Sequence, residues 1–111
     1  MVKDLNGVFE YTTNKNYKSI LELDKRLTKA GIPHELAKLY DGWIIGYPNV
    51  NKGYKVFDVI EHEGSYGHEE DLMEAYGFGV EDVEVVDIDK AFTLFANVHF
   101  STEVKKHDAI N

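Results

Sequence analysis

The chain has 111 residues, of which 43% are hydrophobic and 13% aromatic, so it can bury one core but is too short for two domains. It has no cysteine, which excludes disulfides, thiolate metal sites and cysteine nucleophiles and favours a reducing compartment. The net charge is −8, and the sequence has neither a long apolar run nor a signal-peptide core near its start, so we expect a cytoplasmic protein that does not use a membrane.

The acidic residues are unevenly distributed. Twelve of the twenty lie between Asp58 and Asp89, in a stretch without Lys or Arg. Such a stretch repels polyanions, which disfavours direct nucleic-acid binding, and it attracts a basic partner or a metal. The alternative is a solvated face that only keeps the protein soluble. The twelve are Asp58, Glu61, Glu63, Glu69, Glu70, Asp71, Glu74, Glu81, Asp82, Glu84, Asp87 and Asp89.

Residues 7–13 are rich in β-branched and aromatic residues, which is typical of a short strand. The first strong structural pattern follows this segment and is that of a helix. From residue 17 to residue 30 apolar residues recur at spacings of three and four, which predicts an amphipathic helix. Asn16 is suited to cap this helix, and Gly31 and Pro33 are suited to end it. The apolar positions are Ile20, Leu23, Leu27 and Ala30.

Three strands are predicted next, as an antiparallel meander. Residues 33–40 and 43–47 flank Asp41-Gly42, a pair typical of a two-residue hairpin turn with positive φ at both positions. A longer turn over 48–53 leads to a third strand over 54–62, which is rich in Tyr, Val, Phe and Ile. Both faces of this strand carry apolar residues, so we expect it to lie inside the sheet.

The C-terminal half is predicted to add a helix, a short strand and a final helix. Acidic residues at the start of 68–76 favour a helix there, since they lie at the positive end of its dipole. Residues 83–86 are typical of a strand. Asp87 or Asp89 can cap a helix over 90–100, although Phe, Thr and Val also allow a strand over 92–100. We expect residues 101–111 to be irregular, and irregular structure over residues 1–16 is the alternative to the short strand at 7–13.

These elements predict one α+β domain. The N-terminal helix, the three-stranded meander, the second helix, the short strand and the C-terminal helix follow in that order. The helices are expected to pack on one face of the sheet.

The densest group of reactive side chains lies between the third strand and the second predicted helix. Such a junction can hold a small ligand on backbone N–H groups, and glycines allow close approach. No Lys or Arg lies between Lys55 and Lys90, which argues against a triphosphate site. The alternative is that Gly64 and Gly67 only make a tight turn, in which either glycine can hold positive φ, and that Ser65 caps the helix that follows. The candidate residues are Glu61, His62, Glu63, Gly64, Ser65, Tyr66, Gly67, His68 and Glu69.

Metal binding and hydrolysis have weaker support from the same segment. Histidine and carboxylate ligands are present at His62, His68 and the neighbouring acids, but neither a His-Glu-x-x-His helix nor an EF-hand loop occurs. Ser65 is not framed by a nucleophile elbow. We therefore expect neither a cofactor nor catalysis, and loop histidines exposed at a helix start are the alternative.

Trp43 is the remaining candidate binding residue. It follows the hairpin turn, and exposed Trp and Tyr beside acids are common contact residues in protein interfaces. The alternative is that Trp43 covers the core.

The stretch from Leu21 to Gly77 resembles a group of small uncharacterised proteins encoded by phages and prophages of Gram-positive bacteria. The resemblance lies in Ala-Gly-Ile-Pro at 30–33, Asp-Gly-Trp at 41–43, Tyr-Pro at 47–48, Val-Ile-Glu-His-Glu-Gly-Ser-Tyr-Gly at 59–67, Asp-Leu at 71–72 and Tyr-Gly at 76–77. It implies a phage-type setting, in which small acidic proteins often bind host enzymes. It implies no catalytic residue and no cofactor.

Charge and resemblance together predict a protein-binding module or inhibitor whose acidic face engages a basic host or phage protein. The alternative function is a small-ligand or metal site in the loop at residues 61–69. The sequence indicates no oligomeric state.

Overall fold

The computed structural model describes residues 3–4, 17–51, 55–78 and 80–110, with side chains described for 17–51, 55–78 and 80–105. The fold is α+β. Five antiparallel strands follow one another across the sheet, and β1 (Lys3–Asp4) runs parallel to the first of them. The strands are β2 (Glu35–Leu39), β3 (Gly42–Tyr47), β4 (Phe57–Glu61), β5 (Met73–Gly77) and β6 (Glu84–Val86), and the helices are α1 (Lys18–Ala30) and α2 (Ile88–Ile110).

Both helices pack on one face of the sheet, as predicted. Ile20, Leu23 and Leu27 of α1 are fully buried, whereas Ala30 is exposed. Alternate residues of the sheet meet them, and the rings of Phe57 and Phe95 contact edge to face with centroids 4.8 Å apart. Burying one large aliphatic side chain stabilises a fold by about 1.5–3 kcal/mol, so this layer supplies most of the stability. Its other members include Ile45, Tyr47, Val59, Met73, Ala75, Val86, Ala91, Leu94 and Val98.

The opposite face of the sheet carries a smaller apolar cluster. Ala37 of β2 and Ile44 of β3 are buried there beside Val50, with Leu39 and Ile60 packed against them. Val50 belongs to the turn after β3, and its N–H donates to the Glu35 carboxyl at 3.0 Å. The two faces of β3 are therefore both buried, which explains its nearly continuous apolar sequence.

The meander is confirmed, but the hairpin turn lies one residue earlier than predicted. Leu39 pairs with Gly42, so the two loop residues are Tyr40 and Asp41. Of these, Tyr40 has positive φ (54°), and Asp41 does not. Gly42 is needed for another reason, because a Cβ there would overlap the Glu61 carbonyl of β4.

The predicted helix over 68–76 is wrong. His68–Glu70 form only a short 3₁₀ turn, and β5 begins at Met73. Along β5 buried and more exposed side chains alternate, from buried Met73 to buried Ala75, and this period of two is that of a strand. Asp71 takes a left-handed φ of 59°, which ends the turn before a helix can extend. The spacing of Leu72, Ala75 and Tyr76 led to a wrong prediction because so short a segment fits both the helix period and the strand period.

The final helix is confirmed and is longer than predicted. It continues past Phe100 to Ile110, so residues 101–110 are helical rather than irregular. Asp87 caps its start, since the Asp87 carboxylate accepts the Lys90 N–H at 2.8 Å. The strand predicted for 7–13 and the cap predicted at Asn16 lie outside the described residues. In the described part of the chain, neither helix combines the length and apolar composition that a membrane crossing requires.

Candidate functional site

Four segments meet at one end of the sheet, which we call the loop end (residues 17–20, 40–41, 62–72 and 87–89). The antiparallel register requires this: Leu39 pairs with Gly42, Trp43 with Glu61, and Met73 with Val86. The start of α1 is attached to the same end, because the Ser19 hydroxyl donates to the Asp71 carbonyl at 2.7 Å. The candidate loop at 61–69 therefore lies beside three segments that are distant in sequence.

Asp41 is the most tightly held group at the loop end. Its side chain is only 6% exposed, and both carboxylate oxygens accept hydrogen bonds. The Glu63 N–H donates to Oδ1 at 2.9 Å, and the Tyr17 hydroxyl donates to Oδ2. Burial alone would raise the pKa of Asp41, but these two hydrogen bonds hold its pKa below the ordinary value. Asp41 is therefore ionised at neutral pH.

Tyr17 is the counterpart of Asp41. Burial, and then the hydrogen bond to Asp41, raise the pKa of the Tyr17 hydroxyl above its ordinary value. The hydroxyl is therefore protonated at neutral pH, as a donor to Asp41 must be. Tyr17 precedes α1, so this bond fixes the hairpin tip to the start of the helix.

His62 lies next to the hairpin tip. It is 9% exposed, and its ring meets the Tyr40 ring edge to face with centroids 5.0 Å apart. The Gly64 N–H donates to Nδ1 at 2.9 Å, which assigns the ring proton to Nε2. Burial lowers the pKa of His62, against the opposing effect of Asp41. His62 is thus a neutral donor at pH 7, and not the exposed loop histidine of the alternative interpretation.

These residues line an open cleft of about 370 Å³, formed by Tyr40, Asp41, His62, Glu63 and Gly64. We call it the cleft. Its rim is Tyr40, whose side chain is 51% exposed, together with the exposed Glu63. The cleft combines a buried carboxylate, an exposed carboxylate, an aromatic ring and a neutral imidazole. None of these groups is cationic at neutral pH.

The second half of the candidate loop forms a separate hollow. This outer depression has about 240 Å³ and is lined by residues 65–70. Ser65 is buried, and its hydroxyl donates to the His62 carbonyl at 2.9 Å and accepts the His62 N–H at 3.0 Å. Ser65 therefore closes the turn, but it does not cap a helix as the alternative interpretation expects, since Gly67 holds the cap position of the short 3₁₀ turn that follows. Tyr66, Gly67, His68 and Glu69 lie in this depression and not in the cleft.

Gly64 and Gly67 differ from each other. Of the two, Gly67 has positive φ (+86°), and a Cβ there would lie 2.6 Å from a Val85 methyl. Gly64 does not have positive φ. A Cβ at Gly64 would lie 3.1 Å from the His62 ring. Gly67 is thus required by the turn, and Gly64 leaves room for the imidazole.

Glu61 faces the core instead of the cleft. It is fully buried, and its Oε1 accepts the Ile20 N–H of α1 at 3.1 Å. Tyr17, the residue at the cap position of α1, provides no side-chain cap. A carboxyl from β4 therefore takes the capping role that a local Asn or Ser usually fills.

Trp43 is half-buried and packs against the core layer. The Lys38 ammonium lies 4.3 Å from the centre of its ring, on the strand paired with it. Trp43 is therefore a covering residue of the core, outside both hollows.

The described residues contain no group of three metal-ligating side chains. The reason is geometric. Glu61 is directed into the core, His62 toward Tyr40, and His68 lies in the other hollow. The structure thus gives no support to the metal alternative.

Sequence reasoning missed Tyr17 and Asp41 as members of the site. Asp41 was interpreted only as a turn residue. The register of the hairpin was the available signal, because pairing Trp43 with Glu61 brings the hairpin tip beside His62. No local pattern indicated the bond between Tyr17 and Asp41, which are 24 positions apart.

The sequence matches no protein-family model, and no curated protein or solved structure is significantly similar to it.

Proposed function

We propose that the chain is a non-enzymatic binding module whose loop end engages a basic protein. The observation that carries the proposal is the concentration of exposed acids there. The loop-end acids with exposed side chains are Glu63, Glu69, Glu70, Asp71, Asp87 and Asp89.

The loop end has little compensating positive charge. Within its ranges Lys18 is the only Lys or Arg. Among the residues that the structure describes, Asp89 alone of the six exposed acids pairs with a Lys or Arg, namely Arg26 at 2.7 Å. Uncompensated charges of one sign on one surface steer an oppositely charged partner and repel nucleic acid.

The charge pattern favours a basic protein as the partner, and the resemblance favours a host or phage protein encountered in a host cytoplasm. Such a partner would present a basic surface, for example the surface of a protein that itself handles nucleic acid. Association steered by exposed charges weakens as salt shortens the Debye length, which is about 10 Å at 0.1 M.

The test is retention of proteins from a bacterial lysate on the immobilised chain, with increasing salt. The loop-end variant is Glu69→Gln with Glu70→Gln. The matched control is Glu81→Gln with Asp82→Asn, which removes the same charge from exposed residues at the opposite end of the sheet. We expect the wild type and the control to retain basic proteins at low salt and the loop-end variant to lose most of them.

Two results contradict the proposal. One is that the wild type retains no protein at low salt. The other is that the loop-end variant and the control lose retention equally, which would mean that overall charge matters and the loop end does not.

A further inference from the structure

The cleft has features that the rest of the loop end lacks. Two acidic residues, the buried Asp41 and the exposed Glu63, line it together with Tyr40, whose side chain is about half exposed. Among the residues that the structure describes, no Lys or Arg lines it. A cation within about 6 Å of an aromatic face is attracted by the ring, and more strongly where water is excluded.

The buried carboxylate is preorganised. Tyr17 and the Glu63 N–H each donate to one oxygen of Asp41, which fixes its orientation. A carboxylate can accept about four hydrogen bonds in all, so the Asp41 carboxylate can accept a further one from a ligand. A cation at the cleft would then meet an acceptor that does not need to reorganise.

The size of the cleft limits its occupant. Sites for small molecules usually enclose about 300–1,000 Å³. The cleft, with about 370 Å³, is at the low end of this range and is open to solvent. It is suited to one side chain, and its two carboxylates disfavour phosphate groups.

We propose that the cleft receives an arginine side chain of the basic partner, with the guanidinium against the Tyr40 ring and hydrogen-bonded to the Glu63 and Asp41 carboxylates. This inference rests on the proposed function. Arginine is preferred to lysine because its planar guanidinium stacks on aromatic rings and donates several hydrogen bonds in fixed directions.

The test uses a short acetylated Gly-Ser peptide with one central arginine, titrated into the ¹⁵N-labelled chain. Matched peptides carry citrulline, which has the same shape without the charge, or lysine. We expect the arginine peptide to shift the amides of Tyr40, Glu63 and Gly64, the lysine peptide to bind more weakly, and the citrulline peptide to cause no shift.

Variants locate the binding. Tyr40→Leu keeps bulk without an aromatic ring and should weaken the arginine peptide about fivefold. Tyr76→Leu is the control, because Tyr76 is 58% exposed on β5, outside the cleft. Glu63→Gln is a second variant, which changes an exposed side chain outside the hairpin tip. It tests the cleft even if Tyr40→Leu disturbs folding of the tip, and it should also weaken binding of the arginine peptide.

The inference is overturned if citrulline or lysine binds as tightly as arginine, or if Tyr40→Leu and Glu63→Gln bind like Tyr76→Leu. Lysate retention that persists in those cases leaves the proposed function standing. Conversely, if the chain binds the arginine peptide at the cleft but retains no protein from the lysate, only the proposed function is contradicted.

Discussion

The cleft and the outer depression are formed by consecutive parts of one connection between β4 and β5, yet they are built differently. The cleft depends on distant residues, since Asp41 of the hairpin and Tyr17 before α1 fix its base. The outer depression is held mainly by local turn contacts, such as the Leu72 N–H donating to the Gly67 carbonyl at 3.0 Å.

This difference teaches which kind of site a sequence reveals. The local turn was predictable, because Gly and Ser mark turns by their own conformational preferences. The cleft was only half predictable, because its other half comes from a neighbouring hairpin. The two acidic residues of the cleft also differ in burial, since Asp41 is buried and Glu63 is exposed.

The largest expected effect is a loss of stability when the buried carboxyl of Glu61 is removed. Glu61→Ala leaves the Ile20 N–H without its acceptor at 3.1 Å and empties a fully buried position. Losing a cap and leaving a buried donor unsatisfied should lower the free energy of unfolding by about 2–4 kcal/mol. Urea denaturation measures this. Glu69→Ala, at an exposed position of the outer depression, should change it by less than about 0.5 kcal/mol, and an equal loss in both variants would refute the capping role.

The next effect separates the two glycines. Gly67→Ala places a Cβ at φ +86° and 2.6 Å from Val85, which should cost about 1–2 kcal/mol and disturb the outer depression. Gly64→Ala has no such backbone penalty and should cost clearly less while shifting the His62 ring resonances. Thermal unfolding and histidine NMR spectra report the two outcomes. Equal destabilisation by both substitutions would contradict the difference in backbone conformation between Gly67 and Gly64.

An effect of similar size, which depends on pH, concerns the bond that fixes the base of the cleft. Tyr17→Phe removes the hydroxyl that donates to Asp41 and should cost about 1–2 kcal/mol near neutral pH. The pKa of Asp41 is lowered in the folded state, so its contribution is present above the unfolded pKa of about 3.9 and is lost as pH falls through the folded pKa.

The stability difference between Tyr17→Phe and the wild type should therefore be fully present at about pH 6 and should shrink as the pH falls below about 4, through the lowered pKa of Asp41. Urea denaturation across this range measures the difference, and Tyr47→Phe, whose hydroxyl contacts the His99 ring at 2.9 Å instead of a carboxylate, is the control. A difference for Tyr17→Phe that stays constant over this range would contradict the bond to an ionised Asp41.

The strongly periodic parts of the fold were predictable, and the short acidic segment was not. The spacing of Ile20, Leu23 and Leu27 predicts α1 because a helix period sustained over several turns has few alternatives. The segment from His68 to Tyr76 is too short for its period to decide, and its strand is imposed by pairing of β5 with β4 and β6. Glu61 was predicted as a binding residue because nothing in the local sequence shows that it caps a helix 41 positions away.

The central claim is that the loop end binds a basic protein and that the cleft lies at the centre of the contact. An arginine-rich peptide titrated into the ¹⁵N-labelled chain at low and high salt maps the contacted surface directly. We predict that the amide shifts concentrate at Tyr40, Asp41 and Glu63–Gly64, extend more weakly to the exposed acids of the outer depression, and decline as salt rises. Shifts of similar size around Glu81 and Asp82 at the opposite end, or shifts that bypass the cleft, would contradict it.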